Sequence, residues 1–295
     1  MIKYYDRKTK TYNVENVAGD KSLKLIYDNS IGKAFLPKLV SRKIFSQIYG
    51  SLCDCPISKS AINKFITKFN INMNDYKKSA NEYSSFNDFF YRQLSCNSRP
   101  IDVEQKHLIS PCDSKLLAIE NLSEDSSFFV KGFKYSLKDL INNDKLSEEY
   151  KNGTCLIFRL CPTDYHRFHF VDSGKCSSSK FINGKYYSVN PIALDKIEKL
   201  FCENKREYSI HHTDNFDDII YVEVGATFVG SIIQTYKPSV SVTKGEEKGY
   251  FKFGGSTVIM FIKDNIVKLD GDILDNSKLN IETQVYMGEK IGVRV

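Results

Sequence analysis

The sequence predicts an α+β fold: a helical region over residues 1–95, followed by a strand-rich, barrel-like domain over 96–295. Three observations carry this. Apolar residues recur at helical spacing in the first ninety-odd positions. From about residue 108 the pattern changes to short β-prone runs bounded by Gly, Asn, Asp and Ser. Helical insertions between those runs are few, which favours strands gathered into one domain over a regular strand–helix alternation.

In chain order, the first expected helix covers 34–48. Phe35, Leu36, Leu39, Val40, Ile44, Phe45 and Ile48 form a stripe, with Lys38, Arg42 and Lys43 between them. A basic amphipathic helix of this kind suits a membrane surface as well as a protein core. A second helix fits Ser60 to Phe69, with Ile62, Phe65, Ile66 and Phe69 on one face and Ser58 or Ser60 as cap. A third begins after Ser85 with Phe86, Phe89 and Phe90, and ends before Arg99-Pro100. The strand candidates are Lys115 to Ile119, Ser127 to Val130, Thr154 to Leu160, Ile219 to Val224, Thr227 to Thr235 and Ser256 to Ile262. Helical insertions are expected near 136–150 and 191–201, the latter opened by Asn190-Pro191.

The composition is that of a globular chain, with 41% apolar, 13% aromatic and 26% charged residues in 295. No apolar run approaches the roughly 20 residues of a membrane-spanning helix, and the opening residues lack an apolar secretion core. The eight cysteines are scattered, and the one-residue gap between Cys53 and Cys55 is not that of a zinc ribbon or redox pair, so all are expected as reduced thiols. The net charge of +6 is concentrated: the first fifty residues hold ten basic and four acidic side chains. A basic end on a neutral body suits an anionic partner.

Three segments contain groups able to do chemistry. In Phe253-Gly254-Gly255-Ser256-Thr257-Val258 a glycine pair stands at the mouth of an apolar strand. Such a pair commonly makes a turn or β-bulge. It also lets the backbone bend the Ser256 hydroxyl onto the Gly255 carbonyl carbon, so that, with a base present, the serine can attack the peptide bond preceding it. In Cys161-Pro162-Thr163-Asp164-Tyr165-His166-Arg167-Phe168-His169-Phe170 two imidazoles sit three apart. On a turn both can enter one cleft, and either can serve as base or acid. No third ligand arrives at a metal-binding spacing, so no metal is expected. In Ile109-Ser110-Pro111-Cys112-Asp113-Ser114-Lys115 the aspartate is either an Asx turn or a carboxylate buried against an imidazole.

Together these segments resemble the phosphatidylserine decarboxylases, pyruvoyl-dependent proenzymes of the prokaryotic type. The likeness runs from Phe89-Phe90-Tyr91-Arg92 and Ser98-Arg99-Pro100-Ile101, through Ser110-Pro111-Cys112-Asp113 and Lys131-Gly132-Phe133-Lys134-Tyr135-Ser136-Leu137, to the Pro-x-Asp-Tyr-His-Arg-x-His run at 162–169. It continues with Val224-Gly225-Ala226, Val229-Gly230-Ser231-Ile232 and the stretch from Lys244 to Thr257. Two departures stand out: Gly254 replaces a frequent Leu, and Ser114 replaces the usual Gly after the aspartate.

The resemblance implies a self-processing triad in which Asp113 orients His169 and His169 takes the proton of Ser256. Cleavage between Gly255 and Ser256 would give a β chain of 1–255 and an α chain of 256–295, held together as a heterodimer. Ser256 would become the pyruvoyl cofactor, which forms a Schiff base with phosphatidylserine and yields phosphatidylethanolamine and carbon dioxide. His166 would supply the proton in decarboxylation. The resemblance further implies a peripheral enzyme on the cytoplasmic face of the cell membrane, with anionic lipid as partner for the basic region and no nucleic acid. The alternative is a relative that is never processed and acts only as a lipid-surface-binding protein.

Overall fold

A computed structural model describes residues 2–15, 43–189, 191–225, 232–254 and 256–295. The fold is α+β and strand-rich, as expected. Its centre is Ser256–Ile262, all seven residues of which are buried. This strand runs antiparallel between Asp218–Val224 and Thr154–Leu160. A continuous apolar run such as Thr-Val-Ile-Met-Phe-Ile has no solvent face, so it belongs inside a sheet covered on both sides. From Thr154–Leu160 the sheet continues through Ser114–Ile119 and Glu282–Val285 to the hairpin Lys3–Asp6 and Thr11–Val14. From Asp218–Val224 it continues through Arg206–Thr213 and Gly174–Cys176 to Ser241–Val242, with Lys180–Ile182 also beside Arg206–Thr213. Among the described residues no pairing joins the two outer strands, so the sheet is open; barrel-like is only a loose description.

Alternation along the central strands divides the core in two. On one face Val258, Met260 and Ile262 join Leu156, Phe158 and Tyr221. That face is covered by two small sheets. One comprises Ile232–Gln234, Glu247–Phe251 and Arg167–His169; the other comprises Val267–Leu269, Lys290–Arg294 and His107–Ile109. On the opposite face Ile259 and Phe261 join Cys155, Ile157 and Val222, under the helices Leu137–Ile141 and Leu200–Glu203. Lys131 and Gly132 both take positive φ, at 51° and 82°, and turn Ser127–Val130 back onto Phe133–Ser136.

The helices Lys43–Asp54, Ile62–Phe69 and Phe86–Phe90 form a separate layer around Cys53, Ile62, Tyr83, Phe86, Phe89 and Phe90. Ser85 caps the third, accepting from the Asp88 amide. The helical expectation thus holds for these elements. It does not hold for residues 3–14, which form a hairpin. The Asp6 carboxylate accepts from the Lys8 and Thr9 amides, and Lys3–Asp6 finds a parallel partner in Glu282–Val285, far along the chain. Arg7 anchors this hairpin to Asp270 at 2.8 Å and Asp272 at 2.7 Å, and Glu15 receives Arg159 at 2.6 Å. Most of the expected basic helix at 34–48 lies outside the described residues, as do Ala226 to Ser231.

Candidate active site

Ser256 opens the central strand opposite Leu160 and has no solvent exposure. Beyond Leu160 the chain folds back through a tight loop. The Asp164 amide donates to the Cys161 carbonyl at 2.8 Å, while the Asp164 carboxylate accepts from the Cys161 amide at 2.8 Å and from Lys115 at 3.1 Å. This return brings His166 over the start of the neighbouring strand. Its Nδ1 lies 3.1 Å from Ser256 Oγ, and its Nε2 lies 2.9 Å from the Cys161 carbonyl oxygen. A carbonyl only accepts, so Nε2 carries the proton and Nδ1 presents its lone pair to the serine hydroxyl. The imidazole thereby accepts a hydrogen bond from the Ser256 hydroxyl.

Two neighbours hold that ring. Phe90 stacks on it at 3.9 Å and 27°. Buried Arg92 donates to the Thr163 carbonyl at 2.8 Å and the Asp164 carbonyl at 3.1 Å, and also reaches the Phe89 and Phe90 carbonyls. It therefore ties the end of the Phe86–Phe90 helix to the loop carrying His166. Burial, reinforced by the Arg92 charge, pushes the His166 imidazole down to about 3, so it stays neutral at physiological pH.

His169 occupies a different setting. It ends Arg167–His169, and its backbone amide donates to the Pro111 carbonyl at 2.8 Å. Its Nδ1–H donates to the Gly245 carbonyl at 2.9 Å, which leaves Nε2 to accept from the Tyr165 hydroxyl at 3.0 Å. Burial pushes this imidazole down as well. Asp113 accepts from Arg99 Nε and Nη2, the latter at 2.8 Å, and from the Met287 amide at 2.9 Å. The ion pair with Asp113 raises the Arg99 guanidinium further.

Of the residues singled out from the sequence, His166 and Ser256 are in contact. Asp113 and His169 share no hydrogen bond among the described residues, although the Asp113 charge favours protonation of His169. Gly255 lies outside the described residues; Gly254 before it has φ 140°, a region open to glycine. Sequence reasoning gave no role to Phe90, Arg92, Arg99 or Tyr165, although all four lie within the quoted motifs. A basic residue directly after a Phe-Phe-Tyr run was the available signal for a buried cation. All eight cysteines are free, and among the described residues no cluster of three His, Cys, Asp or Glu is arranged to hold a metal ion.

The family model described as phosphatidylserine decarboxylase matches residues 86–293, a span that includes Ser256, both imidazoles, Asp113 and the side chains that hold them. The chain belongs to the phosphatidylserine decarboxylase family. Similar proteins named phosphatidylserine decarboxylase proenzyme occur in Clostridium botulinum strain Langeland, at 59% identity over 99% of both chains, and in Clostridium perfringens strain SM101, at 57% over 99% of both. Another in Clostridium tetani is 57% identical, covering 99% of this chain and 98% of its own. Phosphatidylserine decarboxylase relatives therefore match along the whole chain, including the helical layer before residue 86.

Proposed function

We infer that the chain decarboxylates phosphatidylserine to phosphatidylethanolamine, using a carbonyl it makes from its own Ser256. The observation that carries this is the buried Ser256 hydroxyl facing the lone pair of a neutral imidazole at 3.1 Å. Ser256 Oγ attacks the Gly255 carbonyl carbon as His166 takes its proton. The tetrahedral centre collapses with that proton delivered to the Ser256 nitrogen, and the amide becomes an ester. Loss of the Ser256 α-proton then expels the Gly255 carboxylate, leaving dehydroalanine at the head of 256–295. Uptake of water and release of ammonia convert it to a pyruvoyl group. Ser256 suits that conversion because it is wholly buried and its hydroxyl contacts an imidazole, not a carboxylate.

When present, the pyruvoyl group supplies the electron sink that carbon dioxide loss requires. The remaining work falls to the side chains. Phe90 and Arg92 keep His166 oriented, and His166, which rests neutral, takes up a proton from water during turnover and passes it to the carbon that loses carbon dioxide. A second reading assigns the scission base to His169 with Asp113. It is supported by the His169 amide bond to Pro111, beside Asp113, and by the effect of the Asp113 charge on that imidazole. We place the working enzyme at an anionic bilayer surface as a two-chain unit of 1–255 and 256–295. No helix among the described residues is long and apolar enough to cross a membrane.

Ser256→Ala should give one band on denaturing electrophoresis and no hydrazine-reactive carbonyl, where the unaltered protein gives two bands and a small fragment with the mass of 256–295 bearing pyruvate in place of serine. An unaltered chain that stays whole yet releases carbon dioxide from phosphatidylserine would overturn the reading, and one that stays whole and inactive would favour the lipid-binding alternative. His166→Ala and His169→Ala separate the two assignments, since only loss of the true base stops scission.

A further inference from the structure

The helical layer reaches the segment just ahead of the scissile bond. Asn87, in the Phe86–Phe90 helix, is completely buried. Its Oδ1 accepts from the Phe253 amide at 2.8 Å, and its Nδ2 donates to Asp54 Oδ1 at 3.0 Å. Asp54, the last residue of the Lys43–Asp54 helix, also receives Lys252 at 3.1 Å. The Phe253 ring meets Phe86 edge-on at 5.0 Å and Phe90 at 4.8 Å, and Phe90 is the ring stacked on His166. Two consecutive residues, 252 and 253, are thus pinned by side chain, backbone and ring. The next residue is Gly254 with φ 140°, and the carbonyl to be attacked is that of Gly255.

We propose that Asn87 is a positioning residue for self-cleavage, fixing the Phe253 backbone so that the Gly255 carbonyl stays within reach of Ser256. This rests on the self-cleavage reading above. An amide side chain suits this position because it accepts from the Phe253 amide and donates to Asp54 at once, whereas a carboxylate lacks the donor and an apolar side chain would remove both bonds. Intramolecular attack depends steeply on alignment, and an unanchored glycine pair samples many geometries that place the carbonyl away from the hydroxyl. After scission, 252–255 is the free end of the larger fragment and no longer has to present a carbonyl. The role of Asn87 therefore ends with the cut.

The experiment follows full-length precursor from cell-free synthesis, timing appearance of the two fragments and then measuring turnover of the cleaved fraction on phosphatidylserine vesicles. Asn87→Ala should slow scission about tenfold or more, the rate equivalent of one lost buried hydrogen bond, while cleaved material keeps the unaltered kcat and KM. Asn87→Asp should also be slow, because it sets a second carboxylate against Asp54. Adding Asp54→Asn to Asn87→Asp exchanges donor and acceptor and should restore most of the rate, which a general loss of stability would not. Scission of Asn87→Ala at the unaltered rate, turnover falling in step with scission, or a folded double variant that remains slow would each overturn the proposal. An unaltered precursor that never cleaves removes the self-cleavage reading and this inference with it.

Discussion

The acidity of His166 gives a prediction that can be worked in numbers. Around the ring stand the Phe90 face, the Arg92 guanidinium, the Cys161 carbonyl and the Ser256 hydroxyl, and among the described residues no carboxylate is hydrogen-bonded to it. With the imidazole pushed down to about 3, lowering pH from 8 to 5.5 converts under about 1% of it to the inactive protonated form. An ordinary histidine would be roughly 90% protonated at pH 5.5 and the scission rate would fall about tenfold. The rate of Ser256-dependent cleavage should therefore be nearly flat across that range. Stability should not be flat. Because the folded-state value lies below the unfolded 6.5, the unfolded chain binds the extra proton between about pH 3 and 6.5. The contribution of His166 is complete above 6.5 and falls by about 1.4 kcal/mol per unit as pH drops through that window. The assay is a pulse of newly made precursor transferred to buffers between pH 5 and 8, with scission read by electrophoresis and the folded fraction by intrinsic fluorescence. A scission rate that titrates with a midpoint near 6.5 while the protein remains folded would refute the assignment of this buried, neutral imidazole as the base.

Two further outcomes concern the body of the fold. Lys248 and Glu223 form a wholly buried ion pair at 2.7 Å between the small sheet behind His169 and the main sheet. In a Ser256→Ala background, Lys248→Met should lose about 3–5 kcal/mol in urea unfolding, and adding Glu223→Leu should recover most of it; an unchanged midpoint in the single variant would count against a desolvated charge at this position. Segment 256–295, the smaller product of the proposed cut, pairs with Asp218–Val224, Thr154–Leu160, Ser114–Ile119 and Lys3–Asp6, and Arg7 grips its Asp270, Asp272 and Glu289. It should co-elute with 1–255 in native gel filtration and separate only in denaturant; a free small fragment in native buffer would contradict this packing.

The parts of the fold legible in the sequence were those whose burial is written locally. Thr154–Leu160 and Ser256–Ile262 are unbroken apolar runs, and the Ile62–Phe69 helix carries its stripe in eight residues. The N-terminal hairpin was not legible, because Tyr4 and Tyr5 become a strand through partners at 282–284. Motif order brought Ser256, His166, His169 and Asp113 forward as candidates. Which imidazole faces the serine was not legible, since that depends on the Cys161–Asp164 turn and on Arg92 reaching across from just beyond the Phe86–Phe90 helix. Buried charges were the other blind spot: Arg and Lys are by type mostly exposed, and Arg92 and Lys248 are buried against partners that include Thr163, Asp164 and Glu223, well separated from them in sequence.

If the chain cuts itself before Ser256 as proposed, the central position of the Ser256 strand makes the order of assembly one-way. On the proposed self-cleavage, the strand that heads the smaller fragment is flanked on both sides, so its place in the sheet is filled while both halves still share one backbone. Once severed, an unfolded enzyme would have to recruit its middle strand from solution, a bimolecular step in place of a short connection. Heat or denaturant should thus inactivate the processed protein for good under conditions from which its uncut precursor recovers, and each molecule has a single chance to be built correctly.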